Sequence, residues 1–242
     1  MTPTKLLYLE DFNLINCEAH VLEVLKENEN DIVILDQTVF YPQGGGQPYD
    51  QGIIESLSAK FNVLEVRLVD DIARHIGKFD SENFKQFEKI KCSVNEERRL
   101  LNSRIHSAGH VIDMAVQALN IGWIPVKGHH FPSGPYVEYV GSSDGLDKEK
   151  IKIDIENLAN QFIKDGMKTE LMFVEKEKLK LFCHFIPDYL PQDKPVRLII
   201  FGKFAVPCGG THVNNLNQIK SMSIRKIKTE RGNVRVSYDV AE

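Results

Sequence analysis

The chain has 242 residues, of which 42% are hydrophobic and 26% are charged, and its formal net charge is −4. This composition is typical of a globular protein whose core needs no disulfides. No apolar run approaches the length of a bilayer-spanning helix, which argues against a membrane protein. The negative charge argues only weakly against a nucleic-acid partner, because such partners bind to local basic patches.

The cysteines and the first residues indicate a reducing compartment. Cys17, Cys92, Cys183 and Cys208 form no CxxC pair and no framework of regular spacings. The opening segment MTPTKLLYLEDF lacks the basic region and apolar core of a secretory signal. We therefore expect reduced thiols and a cytoplasmic location.

The first ninety residues predict a β-rich domain. VLEVLKENENDIVILD predicts two strands joined by a turn at residues 28–31, and IIESLS and FNVLEVRLV are again strand-like. Between them, TVFYPQGGGQPYDQG is interrupted by glycines and prolines. Short strands separated by turn residues are typical of a small barrel or closed sheet.

A long helix is predicted next. Ser93 and Glu96 have the spacing of a capping box, with Ser93 as the N-cap, and Gly122 is the predicted end. Apolar residues then recur at steps of four and three, which places them on one helix face. They are Leu101, Ile105, Ala108, Ile112, Ala115 and Leu119.

The remaining elements mix strands and helices. GPYVEYVG, TELMFV and VRLIIFG predict strands, DKEKIKIDIENLANQFIKDG a surface helix, and VEKEKLKLF a short helix. SMSIRKIK and NVRVSYDV predict an antiparallel hairpin around Arg231 and Gly232. The change of period near residue 90 predicts two domains, residues 1–90 and residues 91–242, of which the second is α+β.

Two short motifs suggest a metal site. His106 and His110 stand four residues apart on the long helix, so both imidazoles lie on one face. That spacing alone is a weak signal, since two surface histidines take it readily by chance. Cys208 and His212 add a thiolate and an imidazole, and the two glycines of CGGTH let the backbone fold back. Three histidines and a cysteine form a ligand set that favours zinc over magnesium or calcium.

Four protein ligands raise a question about the role of the zinc. A closed tetrahedral site is typical of structural zinc, whereas catalytic zinc keeps an open position. Three arrangements reconcile the set with catalysis: one ligand is distant or displaced, the metal becomes five-coordinate, or zinc only positions the substrate. The sequence leaves all three open.

At this point the residues carry a family resemblance. IHSAGH and PCGGTHV, about a hundred residues apart, resemble the editing domain of alanyl-tRNA synthetases. TVFYPQGGGQPYDQG resembles the glycine-rich motif that precedes that domain, and KIKTERGNVRVSY resembles its ending. With no room for an aminoacylation domain, the chain resembles AlaX-type trans-editing proteins of the longer kind. Threonyl-tRNA synthetases have a related editing domain, but the glycine-rich first domain favours the alanyl branch.

The resemblance implies an α+β fold: a small β-barrel-like domain, then an α/β two-layer editing domain of the threonyl/alanyl-tRNA synthetase second additional domain type. It implies an aminoacyl-tRNA deacylase, which removes serine, or glycine, from the acceptor end of tRNA(Ala) by zinc-dependent ester hydrolysis. The zinc ligands that it implies are His106, His110, Cys208 and His212.

The chain departs from the family pattern at two places. Gly109 stands where family helices often have threonine, whose hydroxyl could help distinguish serine from alanine. KGHHFPSGPYVEY lacks a glutamine that many synthetase editing domains have, and His129 or His130 could fill that space. These departures bear on which amino acid is removed.

Further site residues are predicted from their positions. The candidates for assisting catalysis are Thr211, Glu138 and His129, with Asp113 and His130 also considered. The glycine loop is expected to line the path of the tRNA end, and basic residues near the C-terminus to contact phosphates. This tRNA-binding set is Gly44, Gly45, Gly46, Gln47, Lys220, Arg225, Lys226 and Arg231.

Simpler interpretations exist for each feature. Asp113 and Glu138 could be solvent-facing residues, and GGGQP could be only a hairpin turn. A GGQ tripeptide also occurs in ester-hydrolysing release factors, but that interpretation leaves the histidines and Cys208 unexplained. The main alternative function is a non-catalytic, zinc-stabilised tRNA-binding module, and a third is a metallohydrolase that acts on a small ester or amide.

Overall fold

The computed structural model describes residues 2–142, 145–188, 190, 194–230 and 232–241. The chain forms two compact units, Met1–Leu101 and Asn102–Glu242. The division into residues 1–90 and 91–242 stays a prediction. Within the described part of the chain, neither α-helix has the length and apolarity needed to cross a lipid bilayer.

A closed six-stranded barrel forms most of the first unit, as the short, regularly spaced strands predicted. The strands follow the order β2-β3-β7-β6-β5-β8 around the barrel, and every neighbouring pair is antiparallel. Two very short strands, β1 (Lys5–Leu6) and β4 (Gln37–Thr38), pair in parallel. The barrel strands are β2 (Asn16–Glu27), β3 (Asn30–Leu35), β5 (Gly52–Glu55), β6 (Lys60–Val69), β7 (Ile72–Phe79) and β8 (Lys89–Val94).

Two tight turns set the register of the barrel hairpins. Asn28 lies between β2 and β3 with a φ of 55°, in the predicted turn. Asp70 and Asp71 join β6 to β7 with φ values of 50° and 60°. Two consecutive left-handed residues give a turn whose twist matches that of the strands, and Asn and Asp tolerate this conformation best after glycine.

The glycine-rich loop of the first unit is also a tight turn. Gly44 and Gln47 pair as an isolated bridge, and the Tyr41 hydroxyl donates to the Gly44 carbonyl at 2.8 Å. Gly45 and Gly46 have φ values of 51° and 75°, so side chains there would be strained. Gly44 and Gly45 are exposed, whereas the Gln47 side chain is fully buried.

Helix α1 (Glu96–Ala118) begins three residues after Ser93, the predicted N-cap. The prediction of Ser93 as the N-cap was wrong, because Ser93 belongs to β8 and pairs with Asn16 and Ile53. Asn95 takes that role, and its side chain accepts a hydrogen bond from the Arg98 amide at 2.9 Å.

The far part of α1 is buried on almost every side rather than on one face. Residues 102–116 are all buried except His110, which is half-buried. The predicted stripe is buried at Ile105, Ala108, Ile112 and Ala115, and exposed at its ends. The helix ends at Ala118, four residues before the predicted stop.

Among its described residues, the second unit contains two antiparallel sheets, most of α1 and a second α-helix, which confirms the mixed α+β class. A four-stranded sheet has the order β14-β15-β10-β9, and a three-stranded sheet has the order β11-β12-β13. Their strands are β9 (Ile124–His129), β10 (Tyr136–Val140), β11 (Thr169–Val174), β12 (Val196–Phe201), β13 (Phe204–Pro207), β14 (Met222–Glu230) and β15 (Asn233–Val240).

The predicted surface helix is α2 (Lys148–Asp165). Its N-cap Asp147 accepts hydrogen bonds from two backbone amides, and Gly166 ends it with a φ of 68°. The hairpin predicted around Gly232 is the β14–β15 pair. Arg231, which the sequence placed in the predicted turn, lies outside the described residues. The segment VEKEKLKLF contains a 3-10 helix, Lys176–Leu181.

Candidate metal centre

The two short motifs meet in the second unit. His106 and His110 lie one turn apart on α1, while Cys208 and His212 lie on the loop after β13. One donor atom from each of these four residues lies within 4.8 Å of the others. The Cys208 sulfur lies 3.3 Å from Nε2 of His106. The cluster of His106, His110, Cys208 and His212 is called the four-donor cluster below.

A buried arginine holds the loop that carries Cys208. Nη1 of Arg197, on β12, donates to the carbonyls of Cys208 at 2.6 Å and Gly210 at 3.0 Å. The Cys208 amide in turn donates to the Arg197 carbonyl at 3.2 Å. Gly210 directs its own amide towards the Cys208 sulfur at 3.4 Å. The loop is therefore folded back on the strand that precedes it.

Two hydroxyl groups of α1 tie the same loop to the helix. The hydroxyls of Ser103 and Thr211 form a hydrogen bond of 2.8 Å, and both side chains are buried. Ser107 Oγ accepts a hydrogen bond from the Val213 amide at 3.1 Å. Because Ser103 and Ser107 flank His106 on the helix, these bonds bring the two halves of the cluster together.

Burial keeps the imidazoles of the cluster neutral. It lowers the pKa of His110 to about 4, and it lowers those of His106 and His212 well below their usual value. The neighbouring histidines and Arg197 lower the pKa values of His106 and His212 further. A neutral imidazole has the lone pair that a metal ion needs.

The Cys208 thiol has opposing influences. Burial raises its pKa, while the Gly210 amide and the Arg197 guanidinium lower it. The pKa is raised overall, so the thiol holds its proton until a cation takes its place.

The cluster fits a metal ion chemically. Nε2 of His110 is buried and has no hydrogen-bond partner among the described residues. A buried imidazole nitrogen without a partner is costly unless a cation or a water occupies the position in front of it. Imidazole and thiolate donors suit zinc and related soft or borderline cations rather than magnesium or calcium.

Comparison with known proteins identifies both units. Residues 9–98 match the family model described as tRNA synthetases class II (A), and residues 196–236 match that of the threonyl and alanyl tRNA synthetase second additional domain. The alanyl-tRNA editing protein AlaX-M of Methanosarcina barkeri is 31% identical over 255 residues, which cover 97% of this chain and 98% of that protein. The chain belongs to the AlaX-M family of alanyl-tRNA editing proteins.

Other relatives agree with this membership. The AlaX-M protein of Methanosarcina mazei is 29% identical over 97% of this chain and 95% of that protein. The alanine–tRNA ligase of Methanobrevibacter smithii is 30% identical over 94% of this chain, but the match covers only 26% of the ligase. The chain thus spans about a quarter of that ligase and nearly the whole of the AlaX-M proteins.

The other candidates for assisting catalysis lie in different surroundings. Thr211 is buried against Ser103, next to the cluster. Glu138 and His129 instead lie on the opposite face of the four-stranded sheet from Tyr139 and Tyr238, whose side chains are fully buried. On that face the His129 ring stacks on Tyr136, and Glu138 lies 4.0 Å from Arg235. The structure does not bring Glu138 or His129 into the four-donor cluster.

Three of the basic residues predicted to contact tRNA are among the described residues, and they lie on the surface. Lys220, Arg225 and Lys226 are all exposed. Arg225 is held by Asp239 at 3.2 Å, and it also donates to the carbonyls of Tyr238 and Pro135. Lys226 lies next to a further basic side chain, Lys228, on the same strand face.

Sequence reasoning missed Arg197 and the part played by His130. Arg197 stands inside the apolar strand VRLIIF, where a buried arginine is a signal in itself because it requires acceptors nearby. His130 stacks on the His106 ring with centroids 4.4 Å apart. Nothing in the local sequence distinguishes His130, which is buried, from its half-buried neighbour His129.

Proposed function

We propose that this protein hydrolyses the ester bond between a wrong amino acid, serine or glycine, and the acceptor end of tRNA(Ala), with zinc held by the four-donor cluster. Members of its family are alanyl-tRNA editing enzymes, and this chain is an aminoacyl-tRNA deacylase. The finer proposal concerns the metal, its ligands and the amino acids removed. The observation that carries it is the convergence of three neutral imidazoles and one thiol from two distant segments.

The exposure of the cluster supports a catalytic zinc over a purely structural one. His106 and His212 are buried, with 1% and 3% of their surface exposed, whereas His110 and Cys208 are half-buried. Two of the four residues are therefore partly accessible to solvent, although Nε2 of His110 is itself buried. A structural zinc is normally enclosed on all sides by its four ligands and the surrounding chain.

The chain's own groups have separable tasks in this proposal. Bound zinc would supply a Lewis acid that polarises the ester carbonyl or lowers the pKa of a water molecule. Arg197 and the Gly210 amide favour the thiolate form of Cys208 and hold its loop. Ser103 and Thr211 fix the distance between helix and loop, which keeps the reacting groups in place.

The proposed tRNA surface includes the exposed face of the four-stranded sheet. Cross-strand pairing puts Lys228, Arg235, Glu138 and Lys127 in one row on that face. The row has three basic residues and one acid, and that acid lies opposite Arg235. Together with Lys220, Arg225, Lys226 and the undescribed Arg231, it would attract RNA phosphates, so binding should weaken with salt. The exposed glycine loop stays a prediction as a tRNA contact.

The test is deacylation of Ser-tRNA(Ala), Gly-tRNA(Ala) and correctly charged Ala-tRNA(Ala), each with and without a chelator. We expect serine or glycine to be released and alanine to be spared, with activity lost to the chelator and restored by added zinc. Activity that survives complete metal removal would overturn the zinc assignment. Equal release of alanine would overturn the editing assignment.

Two further results would point to the rival functions. A protein that binds tRNA but releases no amino acid would be the non-catalytic, zinc-stabilised module. Hydrolysis of small esters without any need for tRNA would indicate a different metallohydrolase. Variants of Thr211, Glu138 and His129 measured in the same assay would show which of them assists catalysis.

A further inference from the structure

A histidine outside the four-donor cluster lies flat against one of its members. The His130 ring stacks on the His106 ring with centroids 4.4 Å apart and planes 19° apart. Only 4% of His130 is exposed, and its ring centroid is 6.4 Å from that of His110. The ring thus covers one face of the His106 imidazole rather than the ring edge, which carries the nitrogens.

A chain of hydrogen bonds fixes the His130 ring in its plane. The Tyr238 hydroxyl donates its single proton to the Ile105 carbonyl at 2.9 Å. Nδ1 of His130 lies 2.7 Å from the same hydroxyl oxygen, so Nδ1 must donate its own proton there. Ile105 immediately precedes His106, and the ring that stacks on His106 is therefore tied to the backbone beside it.

Two glycines make the space in which this ring lies. A Cβ atom added to Gly109 on α1 would lie 2.4 Å from Cε1 of His130, and one added to Gly128 on β9 would lie 2.2 Å from its Nε2. Both distances are too short for any side chain. A glycine inside a helix is less favourable than alanine, and one inside a strand is also unfavourable. The ring explains why both positions lack a side chain.

We propose that His130 is a positioning residue of the metal site: held by Tyr238 between Gly109 and Gly128, it fixes the plane of the His106 ring and so the direction of Nε2. The proposal rests on the proposed function, because it assumes that His106 binds the metal. It also explains Gly109, since a threonine there would collide with His130. An ordinary apolar side chain could fill the space, but it would not make the bond to Tyr238.

The test is titration of the metal-free, full-length protein with Co²⁺, whose visible absorption reports the geometry of its ligands. Competition with zinc then gives the zinc affinity. His130→Ala removes the ring, and Tyr238→Phe removes only the hydroxyl that holds it. Tyr139→Phe is the matched control, because it removes a hydroxyl from another fully buried tyrosine of the same sheet.

We expect His130→Ala to weaken zinc binding about 10- to 100-fold, the usual effect of losing a group that orients a ligand. Tyr238→Phe should weaken it less and alter the Co²⁺ spectrum, while Tyr139→Phe should leave both unchanged. Gly109→Ala should resemble His130→Ala, because its methyl group displaces the ring. The double variant Gly109→Ala/His130→Ala should be no worse than His130→Ala alone, since both changes act through one ring.

Unchanged Co²⁺ spectra and affinities in His130→Ala and Tyr238→Phe would overturn the proposal and leave His130 as a core residue. Additive losses in the double variant would also overturn it, because they would indicate general damage to the fold. If His130→Ala fails to fold, Tyr238→Phe decides the matter. Failure of the proposed function would appear separately, as metal binding without deacylation by the unmodified protein.

Discussion

Nε2 of His106 lies 3.3 Å from the sulfur of Cys208, although 102 residues separate them in the chain. If both atoms bind one zinc ion, each supplies its own metal–ligand bond, and loss of one ligand is not made good by the other. His106→Ala and Cys208→Ala should each abolish deacylation, and Cys208→Ala should also lower the bound zinc per protein, measured by metal analysis. Cys183→Ala is the control, because it removes another buried thiol of the same unit. A Cys208→Ala protein with full zinc and full activity would refute the ligand assignment.

Metal binding should release about one proton at pH 7. The three imidazoles are already neutral at pH 7, because burial lowers their pKa values, that of His110 to about 4. The Cys208 pKa is raised by burial, so its thiol must lose a proton when the metal binds. Calorimetry in buffers of different ionisation enthalpy measures the number released. Release of none, or of two or more, would contradict these protonation states.

Arg197 should matter for zinc affinity although it binds no metal in our proposal. Arg197→Met removes the bonds to the Cys208 and Gly210 carbonyls and the positive charge that favours the thiolate. We expect zinc affinity to fall roughly tenfold or more, as when other groups that orient a ligand are lost. Arg225→Met removes an exposed arginine instead and should keep the affinity. Equal affinities in both variants would show that the loop holds its shape without Arg197.

Asp113 should make stability depend on pH. Burial raises the pKa of its carboxyl from 3.8 to about 7, and Nε2 of His184 lies 3.7 Å from one of its oxygens. Between pH 3.8 and about 7, Asp113 is protonated in the folded protein but ionised in the unfolded chain. The free energy of unfolding is therefore highest below about pH 4 and falls as the pH rises to about 7. Asp113→Asn should therefore be more stable than the unmodified protein at pH 8, by roughly 4 kcal/mol. Urea unfolding at pH 4 and pH 8 measures the difference, which should vanish at pH 4.

The buried pair of Asp50 and Arg99 should dominate the stability of the first unit. Arg99 bonds to Asp50 and to the carbonyls of Phe12, Leu14 and Val39. Asp50→Ala leaves its guanidinium buried without a counter-charge, which should cost about 3–5 kcal/mol of unfolding free energy. Glu18→Ala, which breaks an exposed pair with Lys89, should leave the unfolding free energy almost unchanged, because water screens that pair. A small effect of Asp50→Ala in denaturant unfolding would mean that water reaches Arg99.

The sequence by itself determined the local structure and the identity of the cluster. Alternating strands predicted the barrel and the hairpins, because burial on one face imposes a period of two. The four-residue spacing placed His106 and His110 on one face of α1, and the two glycines of CGGTH predicted that Cys208 and His212 turn towards one point. Adjacent residues of a strand face opposite sides of the sheet, so one of His129 and His130 had to face the core. Their positions in the chain did not show which one.

Only the tertiary structure decided which groups meet. Ser93 has the spacing of a helix cap, yet it pairs with neighbouring strands as part of β8. Strand pairing that completes the barrel stabilises the fold more than a single helix cap would. Glu138 and His129 were catalytic candidates from the sequence, but both lie on the sheet face that points away from α1. Arg197, Tyr238 and His130 support the cluster through contacts that span up to 133 residues. Such contacts follow from long-range packing, which no local pattern of residues encodes.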